Sequence, residues 1–371
     1  MQVGRTRVYR RSRERMREQL AAGRSHGHSW AAAVCALLLL ASCDVPTKPP
    51  KVQNRVLLPV ASSAVAVQEL LPPSVQLAGT SFRVQLAPAT LATRSVAEMC
   101  GASCLALPDQ PVPKPAFMDS SAVSLSLASD VVGATLSDGA IEVALTHGLE
   151  FDPVRPAGAE QNGWIRVSAR SGGRVLGTLL IEDPFPPGAT LRRTLPVQPG
   201  DVNGTVVVSV VLHSPAGAPV PAAWLRSEAA ALTGTVTPLQ LDAAEARVLV
   251  HEKGITVEQP GVDLSGIDAG LIRRVRGGAA RITIDNPFAV TGAFELRLQR
   301  TGVDVRRTVQ LGPNRQTTRI ELSDAELHVL LGHALTLTLS GVVSAHNGEV
   351  VVRPGQEIGI TTSFELVLEI G

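Results

Sequence analysis

The sequence predicts a mainly β protein: tandem antiparallel β-sandwich-like repeats with a few short helices, after an N-terminal signal peptide. Two observations carry the β prediction. Segments of strand length alternate apolar and polar residues, which is typical of strands with one buried and one solvated face. The chain also holds 33 glycines and 26 prolines, residues that favour tight turns.

Residues 1–42 have the layout of a signal peptide. An arginine-rich segment precedes an apolar run over residues 31–42, which contains four consecutive leucines. That run is shorter than the ~20 residues that a helix needs to cross a bilayer, and it matches the apolar region of a secretory signal. Met16 is an alternative start that would give a signal of ordinary length, and otherwise residues 1–15 extend the basic region.

The end of this run, Leu40-Ala41-Ser42-Cys43, resembles a bacterial lipobox. The resemblance implies cleavage before Cys43 and a diacylglycerol on its thiol, so that the membrane is a partner through the lipid anchor. Each buried methylene contributes ~0.8 kcal/mol, and two or three acyl chains therefore hold a protein stably on a bilayer. The alternative is an ordinary secretory signal followed by an unrelated cysteine.

Residues 43–54 are predicted to form a lipidated tether, because Pro46, Pro49 and Pro50 favour an extended chain with little to bury. We therefore expect a lipid-anchored protein of the bacterial cell envelope that faces the periplasm. In enterobacterial lipoproteins an aspartate at the position of Asp44 resembles an inner-membrane retention signal. That rule does not transfer to other phyla, so both the inner and the outer membrane stay open.

Charge and aromatic content exclude a nucleic-acid-binding protein. Residues 1–42 hold eight arginines and two glutamates, so their removal changes the formal net charge from +1 to −5. A basic footprint for nucleic acid is therefore absent. Only Trp164, Trp224 and seven phenylalanines remain as large aromatic residues after residue 42, too few to favour base-stacking platforms.

Cys100 and Cys104 form a candidate disulfide, which an exported compartment permits. On a regular helix residues four apart place their Cβ atoms ~5–6 Å apart, whereas a disulfide needs ~3.5–4.5 Å. A bond would therefore require the helix to end near Gly101. The alternatives are two free thiols or half a metal site. Since no second ligand pair has suitable spacing, we expect neither a metal nor a cofactor.

Three segments follow the tether. Residues 55–118 are predicted to be an N-terminal elaboration that packs on the first repeat, with a capping box, Ser95 to Glu98, opening a short helix. Residues 119–245 form β repeat 1 and residues 246–371 form β repeat 2, and a strand over residues 246–250 is predicted to bridge them. Repeat 2 includes a helix predicted over residues 263–276 and a second capping box, Ser323 to Glu326.

The two repeats align with each other in three places. Residues 139–143 match 278–282, residues 165–173 match 294–302, and residues 204–217 match 332–348. The difference in residue number between matching positions becomes smaller along the chain, which predicts an insertion in repeat 1 over residues 151–163. Strands that share a period of two align easily, so the matches predict an internal duplication without proving one.

The strand that ends in Asn286-Pro287-Phe288 resembles the opening of LEA type-2 (WHy) domains. This resemblance covers roughly the last 110 residues and implies an immunoglobulin-like sandwich and an envelope or stress setting, but no reaction. The first repeat departs from it, because Thr146-His147-Gly148 stands where the Asn-Pro step would be.

No catalytic motif is present in the sequence. There is no glycine-rich phosphate loop, G-x-S-x-G or H-E-x-x-H, and His328 and His333 lie five apart, off a common helical face. We therefore expect no enzyme and no catalytic residues, but a non-enzymatic structural or interaction module with an envelope protein or lipid as partner. The alternative is a periplasmic carrier of lipid or another hydrophobic ligand, of the tubular lipid-binding type, which needs a dry cavity of ~300 Å³ or more.

Overall fold

In the computed structural model, which describes residues 51–100 and 102–370, alternating segments pair into two β-sandwiches built from antiparallel sheets. This confirms the predicted mainly β fold with a few short helices. In the first sandwich, sheet I has the spatial order β10 (Leu191–Val197), β7 (Val131–Thr146), β14 (Thr233–Leu249), β3 (Ser81–Val84), β2 (Val75–Ala78). Three further strands pair outside this order: β11 (Gly200–Asn203) pairs with β7, and both β4 (Ala89–Ala92) and β21 (Glu349–Val352) pair with β14. Sheet II has the order β6 (Phe117–Ser126), β12 (Thr205–Ser214), β8 (Trp164–Ser171), β9 (Arg174–Ile181).

The second sandwich is also built from two sheets. Sheet III has the order β1 (Val52–Ala66), β22 (Glu357–Ile370), β16 (Val275–Asp285), β19 (Gln316–Leu322), and sheet IV has the order β15 (Lys253–Asp263), β20 (Ala334–Ala345), β17 (Val290–Arg300), β18 (Val303–Leu311). A separate ribbon pairs β5 (Pro111–Lys114) with β13 (Gly217–Pro221). The described helices are a 3-10 turn (Val67–Glu69), α1 (Val96–Cys100), α2 (Ala102–Leu105), α3 (Ala222–Leu225), α4 (Ala269–Ile272) and α5 (Asp324–Leu330).

Both sandwiches have the same strand order. The run β10-β7-β14 of sheet I corresponds to β19-β16-β22 of sheet III, and β6-β12-β8-β9 of sheet II corresponds to β15-β20-β17-β18 of sheet IV. Each sequence match between the repeats falls on such a corresponding pair: β7 with β16, β8 with β17, and β12 with β20. The β7–β8 connection is much longer than the β16–β17 connection, and the insertion predicted in repeat 1 lies within it.

Alternation along the strands fills the two interiors. In β20, Leu335, Leu337 and Leu339 are buried, while the residues between them reach the surface. In the central strand β12, Val206, Val208, Val210 and Leu212 are at most 1% exposed. Burying one such side chain contributes about 1.5–3 kcal/mol, so these rows stabilise the sheet pairing on which they depend.

Two strands cross between the sandwiches. β1 precedes the first sandwich in sequence but pairs with β22 in the second, and β21 belongs late in the sequence but pairs with β14 in the first. The bridging strand predicted over residues 246–250 coincides with the end of β14, where Ala246 to Leu249 pair with β21, and the predicted repeat boundary at 245/246 falls inside this strand. The segment 55–118 is divided accordingly: β2, β3 and β4 join sheet I, whereas β1 lies in the second sandwich and already begins at Val52, inside the predicted tether.

The helix predicted over residues 263–276 is wrong in its extent. Only α4 is helical, with the Asp268 carboxylate accepting from the backbone N–H of Gly270 at 2.7 Å and of Leu271 at 3.2 Å. The flanking residues pair instead in β15 and β16, where Val275 is fully buried. Gly266 and Gly270 each disfavour a helix by about 1 kcal/mol relative to alanine. The hydrogen bonds of the sheets therefore outweigh the remaining helix preference of this segment.

Both predicted capping boxes are confirmed. Ser95 and Glu98 exchange hydrogen bonds at the start of α1, with backbone-to-side-chain distances of 2.8 and 3.1 Å. Ser323 and Glu326 do the same at the start of α5. The helices of the described residues are all too short to cross a bilayer.

Candidate functional site

The predicted site residues are cysteines. Cys43 lies outside the residues that the structure describes, so its lipidation stays a prediction. Cys104 is buried and disulfide-bonded. The side chain of Cys100 is not among those described, so its pairing with Cys104 also stays a prediction. Within residues 51–100 and 102–370, no group of three or more His, Cys, Asp or Glu side chains could hold a metal ion.

The histidines that the structure describes do not gather into a metal-binding group. His328 donates from Nδ1 to the carbonyl oxygen of Asp324 at 2.7 Å on the surface of α5. His213 stacks on Trp164 with ring centroids 5.3 Å apart, and the Arg166 guanidinium carbon lies 4.7 Å from a ring centroid of Trp164. His333 lines a cavity described below.

His147 and Asn286 hold equivalent loops of the two sandwiches. Each follows the corresponding strand, β7 or β16, and accepts a hydrogen bond from the backbone N–H two residues later. Each also donates to a carbonyl oxygen in the loop after β9 or β18: His147 Nε2 to Phe185 at 2.8 Å, and Asn286 Nδ2 to Gly312 at 2.8 Å. These residues therefore have a structural function in the same place of each sandwich.

Lys114 is the most unusual charged residue of the described chain. Its side chain is 1% exposed, at the end of the β5–β13 ribbon. Nζ donates to the carbonyl oxygens of Pro215 and Pro115, and lies 4.8 Å from the ring centroid of Phe117 and 5.2 Å from that of Phe151. Burial lowers the pKa of Lys114 to about 8. Sequence patterns gave no sign of this site, because a lysine beside prolines is typical of an exposed loop.

A cavity of about 650 Å³ opens at one end of sheet IV; we call it the Arg300 cavity. Three chain segments meet there: the bulge at Gly261 where β15 leaves its register with β20, the β17–β18 turn, and the start of β20. Its lining residues are Gly261, Gln299, Arg300, Thr301, Gly302, His333, Ala334, Leu335 and Thr336. The cavity is thus mostly polar.

A second cavity, of about 340 Å³, lies on sheet I and contains Asp201; we call it the Asp201 cavity. Its polar groups already bind one another or their neighbours. Thr135 donates to Asp201 at 2.8 Å, Arg247 donates to Asn203, and Glu245 forms an ion pair with Arg353 at 2.6 Å. This cavity therefore offers few unsatisfied groups to a ligand.

No protein-family model and no curated protein matches the chain. Among solved structures, it is similar to a Parabacteroides distasonis protein assigned as secreted, with 13% identity over 86% of this chain and 100% of that chain and a TM-score of 0.31. It is also similar to a structure of the infectious bursal disease virus Gx strain, with 10% identity over 89% and 74% of the two chains and a TM-score of 0.19. A third likeness, to the CBM22-1–CBM22-2 tandem domain of Xyn10C from Paenibacillus barcinonensis, has 9% identity over 86% and 100% and a TM-score of 0.20. These three likenesses assign no function to the chain.

Proposed function

We propose that this chain is a lipid-anchored protein of the bacterial cell envelope, and that its function is structural or interactive and non-enzymatic. The proposed anchor is Cys43, and the proposed partner is an envelope protein that docks on the sandwiches. The WHy resemblance belongs to this proposal, and the position of Asn286 directly after β16 supports it.

The exchange of strands between the sandwiches is the observation that supports a structural module best. β1 and β21 each pair with a strand of the other sandwich, and backbone bonds reinforce the crossing: Val67 N–H donates to the Gln356 carbonyl oxygen at 3.0 Å. The ion pair between Glu245 and Arg353 adds a side-chain link. A body joined in this way resists bending between its halves, which suits a spacer or a rigid docking platform.

The carrier alternative has weaker support. Acyl chains need a dry, aliphatic cavity. Both cavities described above are lined largely by polar groups, and the aliphatic residues of the sandwiches form one packed core.

The anchor is tested by mass spectrometry of the protein isolated from its host envelope. We expect an N-terminal peptide that begins at Cys43 and carries the mass of a diacylglycerol. Cys43→Ser should lose that mass, whereas Cys35→Ser, which changes a cysteine inside the signal, should keep it. An unmodified N-terminus would overturn the lipoprotein proposal.

The interaction role is tested by cross-linking in intact cells, followed by native mass spectrometry of the purified protein. Reproducible cross-links to one envelope protein would support the interaction module. Co-purified acyl lipid at near-unit stoichiometry beyond the covalent anchor would support the carrier in its place.

A further inference from the structure

Arg300 is the one arginine of the described residues that combines a buried, unsatisfied Nε with the absence of any hydrogen-bond or ion-pair partner. Its Nε is inaccessible to solvent and unsatisfied, while the side chain borders an open cavity. An arginine guanidinium offers five donors in a planar fork, and leaving a buried donor unpaired costs free energy. Because Nε is closed to solvent, a ligand in the cavity would pair with the two Nη groups of Arg300, which are not among the buried unsatisfied atoms.

The charge around Arg300 favours an anion. None of the nine lining residues is acidic. Of the two nearest carboxylates in the strand register, Asp304, opposite Gln299, binds Arg297 and Arg306. Asp263, opposite Ala334, accepts from the Ser265 backbone N–H at 2.8 Å and lies outside the lining. Arg300 is the only Asp, Glu, Lys or Arg side chain among the residues that line this cavity.

The shape of the cavity depends on two glycines. Gly261 has a φ of +71° and Gly302 has a φ of +76°. Residues that carry a Cβ rarely adopt such left-handed backbone conformations. A Cβ at either position would meet no atom within 4 Å, so both glycines border open space. Their left-handed conformations set the path of the β15 bulge and of the β17–β18 turn at the rim of the cavity.

We propose that the Arg300 cavity binds a phosphate-bearing small molecule, with the guanidinium of Arg300 holding the phosphate group. Arginine pairs with phosphate in a bidentate geometry that satisfies two donors at once. Gln299, Thr301, Thr336 and the exposed ring of His333 supply further polar groups. Because about 650 Å³ is far more than one phosphate occupies, these groups are available to a hydroxyl-rich remainder of the ligand.

The test is isothermal titration calorimetry on the full chain, purified in detergent with its anchor, with inorganic phosphate as the first probe. We expect saturable binding that Arg300→Gln weakens about tenfold or more, as expected for loss of a charge-assisted pair. Thr336→Asp, which brings a carboxylate to the lining, should weaken binding similarly. The matched control is Arg315→Gln, an exposed arginine beyond the other end of β18, and it should bind like the unchanged protein.

Further probes identify the source of the phosphate. Glycerol 3-phosphate represents a soluble ligand, and short-chain phosphatidic acid represents a lipid headgroup, with short-chain phosphatidylcholine as its control. Tighter binding of phosphatidic acid than of glycerol 3-phosphate assigns a lipid, and equal binding assigns a soluble phosphate ester. Absence of saturable phosphate binding, binding of acetate without phosphate, or equal affinity in Arg300→Gln and the unchanged protein would each overturn the proposal. Urea unfolding of each variant checks that it is folded.

Discussion

The side-chain amide of Asn286 donates to the carbonyl oxygen of Gly312 at 2.8 Å, and so joins the loop after β16 to the loop after β18. The same amide nitrogen donates to the Val290 carbonyl oxygen at 2.7 Å. In the first sandwich His147 makes the equivalent link to Phe185, after β9. Two different residue types thus serve one purpose, since each combines a donor and an acceptor on a short side chain.

Asn286→Ala should lower the free energy of unfolding by about 2 kcal/mol, because the change leaves buried carbonyl oxygens without a donor. Urea unfolding at neutral pH measures this. Asn314→Ala, an exposed asparagine in the nearby β18–β19 turn, is the matched control and should stay within about 0.5 kcal/mol of the unchanged protein. Equal effects of the two changes would contradict a structural role for Asn286.

From the burial of Lys114, we predict that the free energy of unfolding increases with pH between about 8 and 10.5. Burial lowers its pKa from 10.5 to about 8, so within this window the folded chain has released a proton that the unfolded chain still binds. Stability therefore increases as pH rises, by an amount on the order of 3 kcal/mol, and the full cost of burying the charge is present below pH ~8.

Lys114→Met should remove this slope. Urea unfolding at several pH values between 7 and 11 compares the variant with the unchanged protein. Lys253→Met is the control, because the Lys253 ammonium makes only a long contact, 3.5 Å, with the Leu71 carbonyl oxygen. A slope that persists in Lys114→Met would show that another group causes it.

Asp304 predicts an acid-sensitive contribution to stability. Hydrogen bonds from Arg297 and Arg306 hold the pKa of its carboxyl group well below the usual range. Because the pKa of Asp304 is lowered, its ion pairs stabilise the fold at pH values above the ordinary aspartate pKa of about 4. This stabilisation is lost as the pH falls below that value.

Asp304→Asn should therefore be less stable than the unchanged protein at pH 7, with a difference that shrinks toward acidic pH. Thermal unfolding followed from pH 7 to pH 3 measures the difference. Asp201→Asn, at a carboxylate that accepts from Thr135 and from neither arginine, is the comparison. A pH-independent difference for Asp304→Asn would contradict the ion-pair explanation.

The second sandwich should need β1 from the far end of the chain. A fragment of residues 246–371 lacks β1 and leaves β22 as an open edge, which favours association with other chains. We expect this fragment to aggregate, and a peptide of residues 52–66 to restore a soluble one-to-one complex by strand addition. Native mass spectrometry measures the complex, and a scrambled peptide is the control. A monomeric fragment that ignores the peptide would contradict this dependence.

Local features were predictable wherever a few neighbouring residues decide the outcome. Ser95 with Glu98, and Ser323 with Glu326, predict helix starts because a capping box is complete within four residues. The length of the helix over residues 263–276 was overestimated for the converse reason. Its apolar spacing is local, but its two ends belong to β15 and β16, which pair with strands that are distant in sequence.

The candidate site was much less predictable than the strands. Gly261, Thr301 and His333 come together in the Arg300 cavity from three separate segments, and no spacing in the sequence relates them. The burial of Lys114 likewise depends on Phe151 and Pro215, which are far from it along the chain. Sequence spacing cannot report a contact that exists only after the sheets have packed.

The sequence by itself determined the mainly β fold and, where apolar and polar residues alternate, which face of a strand is buried, because both follow from a period of two. It also predicted the matches of β7, β8 and β12 with β16, β17 and β20, which occupy corresponding places in the two sandwiches. Only the tertiary structure decided that β1 joins β22 and that β21 joins β14. Every strand offers the same backbone donors and acceptors, so the choice of partner depends on how the apolar faces pack across the whole chain.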